Sequence, residues 1–248
     1  MSFNFQGNTK ISLLSSWIEK SKHMVILTGA GMSTESGIPD FRSASGWWQK
    51  TDPRFVASVE ALKDHYDMFH EFYSMRIEAL RNCKPNIGHE VLAKWGKKGL
   101  AESIVTQNVD GFHQLAGSEN VYEIHGSINS IRCDECSKEH SIQDFLEKKA
   151  CLFCRGKLRP NVVLFGEMLP EEPLNAAVDS IQNADLLIII GTSLSIYPAN
   201  QLHENSNCKR VYLNQEISKS QNRFDLEIEG KAGEVLSKVD AIISSTSL

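Results

Sequence analysis

The chain has 248 residues, 41% of them hydrophobic and 23% charged, with a formal net charge of -5. That length buries a sizeable core and predicts one large domain or one domain carrying a smaller insertion. The acidic balance argues against a surface built for nucleic-acid phosphates, and no run approaches the roughly 18 apolar residues of a membrane span.

Met1 to Lys10 lacks a charged start followed by an apolar core, so the expected compartment is the cytoplasm, with neither nucleic acid nor membrane as a direct partner. Ile11, Leu14 and Ile18 then form one apolar stripe and predict a helix. Met24 to Thr28 is a short apolar run that reads as a buried strand. Gly29-Ala30-Gly31 follows it, and the loop runs on through Ser36-Gly37-Ile38 to Pro39-Asp40-Phe41. Glycines at the carboxyl end of a buried strand let main-chain N–H groups approach a phosphate, so a nucleotide is the expected guest. Thr34 stands where the dinucleotide fingerprint G-x-G-x-x-G has its third glycine, and a tight strand-to-helix turn without a ligand is the alternative reading.

From about Ser43 to Lys84 the strand and helix alternation breaks, and Phe69, Phe72, Tyr73, Ile77 and Leu80 predict a helix inside this insertion. Asn86 to Trp95 is a short amphipathic segment after Pro85. Ser103 to Thr106, Leu186 to Ile190 and Val211 to Leu213 repeat the apolar pattern of the first strand and are candidate parallel strands. Polar loops follow each of them: Gln107-Asn108-Val109-Asp110, Gly191-Thr192-Ser193 and Asn214-Gln215-Glu216. In an open α/β sheet such loops converge outside the carboxyl ends of the strands. Val121 to Ile124 alternates as a strand and delivers His125 to the same cleft.

Between Ser127 and Pro160 lies a second insertion, containing Cys133-x-x-Cys136 and Cys151-x-x-Cys154. Fourteen residues separate the pairs, one short of the usual zinc-ribbon range, yet each pair can direct two thiolates at one ion. Four sulfur ligands close the coordination shell, so one zinc here is structural rather than catalytic; redox use of a C-x-x-C pair is the competing reading. Cys83 and Cys208 are left over as ordinary cysteines.

Gly29 to Arg42, Thr106 to Asp110, His125-Gly126, the two cysteine pairs, Val163-Leu164-Phe165-Gly166-Glu167 and Gly191-Thr192-Ser193 occur in this order. The series closely resembles the sirtuin family of NAD-dependent protein lysine deacylases, over nearly the whole chain and in its short, bacterial form. The resemblance implies an α/β fold: a Rossmann-like parallel sheet with a smaller zinc-binding domain and a helical insertion. The expected division is 1–42, 86–126 and 161–248 for the NAD-binding domain, 43–85 for the helical insertion and 127–160 for the zinc module.

The implied reaction consumes NAD: the acyl oxygen of an acyl-lysine attacks the ribose carbon as nicotinamide leaves, and the acyl group ends on ADP-ribose. His125 matches the family's general base, and Asn108 and Asp110 match the residues at the nicotinamide and ribose end. Gly29, Ala30, Gly31, Ser33, Asp40, Phe41, Arg42, Trp48 and Gln107 belong by position to the cofactor site, with Ala30 and Asp40 to Arg42 in a flexible loop. Gly191, Thr192 and Ser193 match phosphate and ribose contacts, Asn214, Gln215 and Glu216 the adenosine side, and Ala232 the adenine. Val163, Phe165 and Gly166 lie on the segment that pairs with substrate peptide, so acylated lysines in proteins are the implied partners.

Tyr73 and Arg76 lie three apart on one predicted helix, a Tyr-x-x-Arg found in members that favour acidic acyl chains. A guanidinium in an apolar tunnel pairs with the distal carboxylate of succinyl- or malonyl-lysine, and Ala57 matches the small residue that leaves room for it. Ser58-Val59 departs from the Thr-Pro usual at that place. Deacetylase, desuccinylase and demalonylase activity are therefore expected. Protein ADP-ribosyl transfer and NAD-dependent oxidoreduction are the alternatives.

Overall fold

The structure is a computed structural model that describes residues 3–39, 52–197, 199–217 and 224–246. Its main sheet has six strands in the order β3-β2-β1-β7-β8-β9, paired in parallel throughout. These are β1 (Met24–Thr28), β2 (Ala101–Thr106), β3 (Val121–Glu123), β7 (Leu186–Ile190), β8 (Lys209–Asn214) and β9 (Leu226–Glu229). Every residue of β1 and β7 is buried, as continuous apolar runs require when both faces of a sheet are covered.

The cover follows the period of two along each strand. Met24 and Ile26 pack with Ile11, Leu14 and Ile18 of α1 (Phe3–Lys20), with Val91, Leu92 and Trp95 of α5 (Ile87–Lys97) and with Leu236 and Val239 of α9 (Ala232–Thr246). Val25 and Leu27 face the other way, against Ala177 and Ile181 of α8 (Glu171–Asn183) and Leu202 of the 3-10 helix Ala199–Asn205. Full burial of such a side chain contributes about 1.5–3 kcal/mol, so this two-sided layer dominates the stability of the sheet. Asn86 starts α5 by accepting from the Gly88 and His89 amides, while His89 Nδ1 accepts from Asn86 N at 3.2 Å.

The two insertions pack on one another. The first contains α2 (Pro53–Val56), α3 (Val59–Asp64) and α4 (Tyr66–Arg81); the second contains β4 (Gly126–Cys133), β5 (Glu139–His140), α7 (Ile142–Leu146) and β6 (Leu158–Val162), whose strands form a small antiparallel sheet. Phe69, Phe72, Tyr73 and Ile77 share a single core with Ile128, Ile131, Phe145, Leu158 and Val162. Tyr66 Oη donates to Leu158 O at 2.8 Å, and Lys157 Nζ donates to Lys63 O at 2.7 Å, closing the joint at its edge.

This layout positions the site. The chain leaves β1 for β2 and β3 on one side, then returns to β7, β8 and β9 on the other, so the order reverses between β1 and β7. Outside the carboxyl ends of those two strands is the place where open α/β sheets bind their ligands. Among the described residues no helix is long and apolar enough to cross a membrane.

Candidate functional site

The loops after β1 and β7 meet at backbone contact. Gly29 N donates to Ile190 O at 3.0 Å and Gly31 N to Gly191 O at 2.7 Å. A Cβ on Gly31 would stand 2.7 Å from Gly191 Cα, one on Gly29 would stand 2.7 Å from Thr192 Cβ, and Gly191 itself has φ +63. The glycines are thus needed for loop-to-loop packing, and these two N–H groups are committed within the protein rather than offered to a phosphate. The residues beside them, Ala30, Thr192 and Ser193, are carried to the cleft by that packing.

A polar network fills the floor. Asn108 Nδ2 donates to Gly29 O at 3.1 Å and to Ser33 Oγ at 3.2 Å, and Ser33 Oγ donates to Asp110 Oδ2 at 2.7 Å. The other carboxylate oxygen of Asp110 accepts from Phe112 N, at the start of α6 (Phe112–Leu115), at 2.9 Å. Burial pushes the Asp110 carboxyl above its usual range, opposed by these two bonds and by the Arg76 guanidinium. Gln107 Nε2 donates to Thr192 Oγ1 at 3.1 Å, joining the β2 loop to the β7 loop.

His125 enters from the end of β3. Its Nδ1 lies 2.9 Å from Gln107 O, and a carbonyl can only accept, so Nδ1 carries the proton in the neutral ring and Nε2 holds the lone pair. Burial lowers the His125 pKa, partly offset by that same bond. The imidazole is therefore neutral at pH 7 and oriented as a base.

Sequence reasoning missed the layer beneath. Thr28 Oγ1, at the end of β1, donates to Thr106 Oγ1 at 2.8 Å and lies 3.0 Å from His113 Nε2; Thr106 Oγ1 also accepts from Asn108 N at 3.0 Å. His89 Nε2 approaches Ser33 Oγ at 3.5 Å, and the His89 and His113 rings are 4.9 Å apart. Burial holds His89 at a pKa of about 4 and His113 at about 3, so both are neutral props for the floor residues. A lone histidine in a sequence announces none of this. Asn86 three residues before His89 was the available signal, since that spacing matches a capping box with histidine in place of Glu or Gln.

Toward β8 and α9, Asn214 Nδ2 donates to Tyr212 Oη at 2.9 Å, and Tyr212 Oη donates to Thr192 O at 2.8 Å. Gln215 and Glu216 are exposed beyond it. Ala232 is buried at the first turn of α9, where Glu35 accepts from Gly233 N at 2.6 Å and ties the β1 loop to that helix. Asp40, Phe41, Arg42 and Trp48 lie outside the described residues.

The strap Val163–Glu167 faces the network from the other side. Val163 N donates to His125 O at 2.9 Å; Phe165 N donates to Ala57 O at 2.9 Å, and Phe165 O accepts from Val59 N at 3.1 Å. The main-chain groups of Phe165 are thus held by the first insertion, and the Val163 amide by His125. Val59 in place of a proline is what supplies the second of these bonds, while Ser58 caps α3 by accepting from Ala61 N at 3.1 Å. Behind the strap, Tyr73 is buried and Arg76 half-buried, with the guanidinium 5.5 Å from the Phe72 ring centre and 5.8 Å from that of Tyr73. Burial pushes the Tyr73 hydroxyl up to about 12 and lowers the pKa of Arg76.

The four cysteines form the second centre. Cys133 Sγ lies 3.4 Å from Cys154 Sγ and Cys136 Sγ 3.6 Å from Cys151 Sγ, all four sulfurs fall within 4.8 Å of one another, and none is in a disulfide. Zinc–sulfur bonds of about 2.3 Å place tetrahedral ligands about 3.8 Å apart, so the set fits one closed zinc site. Two similar knuckles build it, with Ser137 at φ 58 and Arg155 at φ 66 after their C-x-x-C turns, and Ser137 N and Arg155 N donating back to Cys133 O and Cys151 O. All four ligands come from the insertion, away from the floor residues.

A Rossmann-like sheet with a polar network at its switch point, an oriented histidine and a separate four-cysteine centre defines a nucleotide-using enzyme with a structural metal module. The profile of the Sir2 family matches residues 29–198. An NAD-dependent protein deacetylase of Oceanobacillus iheyensis is 42% identical over 232 residues, covering 92% of this chain and 98% of that one. NAD-dependent protein deacylase 2 of Archaeoglobus fulgidus is 38% identical, covering 90% and 91%. A solved Sir2 homolog–NAD complex has a TM-score of 0.86 at 34% identity, covering 95% of this chain and 94% of that one. The chain belongs to the Sir2 family.

Proposed function

We infer that the chain is an NAD-dependent protein lysine deacylase. The observation that carries this reading is His125: a neutral imidazole, its Nδ1–H given to Gln107 O and its Nε2 left as the base, beside the Ser33–Asn108–Asp110 floor. The donor set at the switch point suits a dinucleotide, since hydroxyls, amides and a carboxylate converge there from three strand ends. Similarity to enzymes named NAD-dependent protein deacetylase and deacylase supports the same cofactor and chemistry. NAD, when bound, supplies the ribose carbon that takes the acyl oxygen as nicotinamide departs.

In this reading Asn108 and Asp110 orient the nicotinamide and ribose end, and His125 Nε2 accepts the proton of a ribose hydroxyl. Gly191, Thr192 and Ser193 take the phosphate and ribose, Asn214, Gln215, Glu216 and Ala232 take the adenosine, and Ala30 with Asp40, Phe41, Arg42 and Trp48 covers the cofactor. The segment Val163, Phe165 and Gly166 pairs with the acyl-lysine peptide through groups other than the Val163 amide and the Phe165 amide and carbonyl, which the fold already uses. Cys133, Cys136, Cys151 and Cys154 hold one zinc that organises the module spanning 127–160, set beside a helical insertion at 43–85 and an NAD-binding domain made of the remaining segments.

The finer substrate reading is desuccinylase and demalonylase activity alongside deacetylase activity. Tyr73 and Arg76 support it, because a phenol and a guanidinium one turn apart behind the strap match the distal carboxylate of an acidic acyl chain. The test is to incubate the zinc-loaded protein with NAD and acetylated, malonylated and succinylated peptides and to identify products by mass. Free nicotinamide with O-acyl-ADP-ribose is the expected result. Reduced cofactor, ADP-ribosylated protein without deacylation, or no nicotinamide with any peptide would overturn the reading.

A further inference from the structure

One buried cation joins the metal module to the strap that faces the site. Arg159 is 1% exposed. Its guanidinium forks onto Glu167, Nη1 to Oε1 at 2.6 Å and Nη2 to Oε2 at 2.9 Å. Nη2 also donates to Val162 O at 2.7 Å, Nε to Pro160 O at 3.3 Å and Nη1 to Asp134 Oδ1 at 3.3 Å. Asp134 sits between Cys133 and Cys136, inside the first zinc knuckle. Glu167 in turn closes the strap: its Oε2 accepts from Leu164 N at 2.8 Å, its own N donates to Leu164 O at 3.0 Å, and Gly166 makes the turn with φ +96. The strap's other end holds His125 through Val163 N.

An ion pair that buries its guanidinium and half-buries its carboxylates is a poor device for stability alone, because well-packed apolar residues of similar volume commonly serve as well. A planar fork fixed at five acceptors does something apolar packing does not, which is to set orientation. Among the described residues, the cofactor loops after β1, β7 and β8 make none of these contacts.

We propose that Arg159 and Glu167 are positioning residues for the acyl-peptide, transmitting the geometry of the zinc knuckle through Asp134 to the strap Val163–Glu167. The proposal rests on the deacylase reading, and it makes the zinc and peptide sites energetically coupled while leaving NAD binding outside the coupling. Coupling between two binding sites is reciprocal, so peptide must tighten zinc by the factor that zinc tightens peptide.

The test has two arms on zinc-loaded protein. In the first, the apparent zinc affinity of the wild type is measured by competition with a chelator, with and without saturating acetyl-lysine peptide and no NAD. Tightening of about fivefold or more is expected. In the second, Arg159→Met/Glu167→Leu removes both charges together, so that the buried guanidinium is not left without its carboxylate. This double variant is expected to raise KM for acyl-peptide about tenfold while moving KM for NAD less than about twofold, and to lose the effect of peptide on zinc. Glu167→Asp, which keeps the charge, is expected to recover part of the peptide KM. Wild-type zinc affinity unmoved by peptide, or equal changes in KM for peptide and NAD, would overturn the proposal. The first arm needs no variant to fold. A wild type that binds peptide but releases no nicotinamide sinks the deacylase reading instead, so the two failures are separable.

Discussion

Replacing Arg76 by methionine is expected to lower kcat/KM for succinyl-peptide far more than for acetyl-peptide. Arg76 is half-buried on α4, its guanidinium set 5.5 and 5.8 Å from the Phe72 and Tyr73 ring centres. Burial lowers its pKa, yet a guanidinium remains charged at any working pH. The Tyr73 hydroxyl, pushed up to about 12 by burial, stays protonated and able to donate. A distal carboxylate that reaches the pair gains charge-assisted hydrogen bonds of about 1.5–3 kcal/mol, or about 10–150-fold in discrimination. Methionine keeps an unbranched apolar stem against both rings and removes the charge. Loss of the cation also withdraws its attraction from Asp110, but that acts on every acyl chain alike and cancels in a ratio. The assay is kcat/KM for matched succinyl- and acetyl-peptides at saturating NAD, in wild type and Arg76→Met. A ratio that does not move refutes the assignment of Arg76 to the acyl chain.

Five further outcomes are expected. His125→Ala should cost about 100 to 10,000-fold in rate while leaving NAD binding measurable by calorimetry, as loss of a general base does. Because burial lowers the His125 pKa, the acid limb of the kcat/KM profile should fall below the ordinary histidine value of 6.5, activity being present above that limb and lost as pH falls through it. His89 and His113, held at about 4 and about 3, must take up protons on unfolding once the pH is below 6.5, so stability should be full above that value and fall progressively toward pH 4 and then 3; denaturant midpoints across this window should shift, and His113→Gln should flatten the slope. Chelation should release one zinc per chain and melt the 127–160 module, since such sites contribute on the order of 10–16 kcal/mol in small modules, and far-ultraviolet dichroism with metal analysis would show whether loss of metal and loss of structure coincide. Gly31→Ala should destabilise the protein and weaken NAD binding together, because its Cβ would stand 2.7 Å from the Gly191 backbone, and an unchanged melting temperature would contradict the packing described for these loops.

The strands were legible because their signal is local. Met24 to Thr28 and Leu186 to Ile190 read as buried strands from continuous apolar runs, and both are buried at every position. The α4 stripe and the start of α5 after Pro85 were equally plain, since a period of 3.6 and a capping asparagine need no knowledge of the rest of the chain. The cysteine quartet was legible for the same reason: two knuckles are each complete within a few residues. What could not be read was any pairing between distant segments. The sequence suggests that Gly29 and Gly31 are there for a phosphate, whereas the Cβ positions show that Thr192 and Gly191, about 160 residues on, are what demand them. His89, His113, Thr28 and Thr106 form one supporting layer from four separate segments, and each alone looks like an ordinary residue.

Val59 shows what a departure from a family pattern can mean physically. At the first position of α3 a proline would fit the helix, having no amide to satisfy, so by sequence the valine is a bare departure from the Thr-Pro usual there. The fold gives the valine amide a partner: it donates to Phe165 O at 3.1 Å, opposite the bond from Phe165 N to Ala57 O at 2.9 Å. A proline would delete the first of these bonds and leave Phe165 O to find another donor. Val59→Pro should therefore loosen the strap at Phe165 without touching Arg159 or Glu167, raising amide exchange at Phe165 and Gly166 while the zinc module stays protected. Equal exchange in wild type and variant would mean that the strap is held from the zinc side alone.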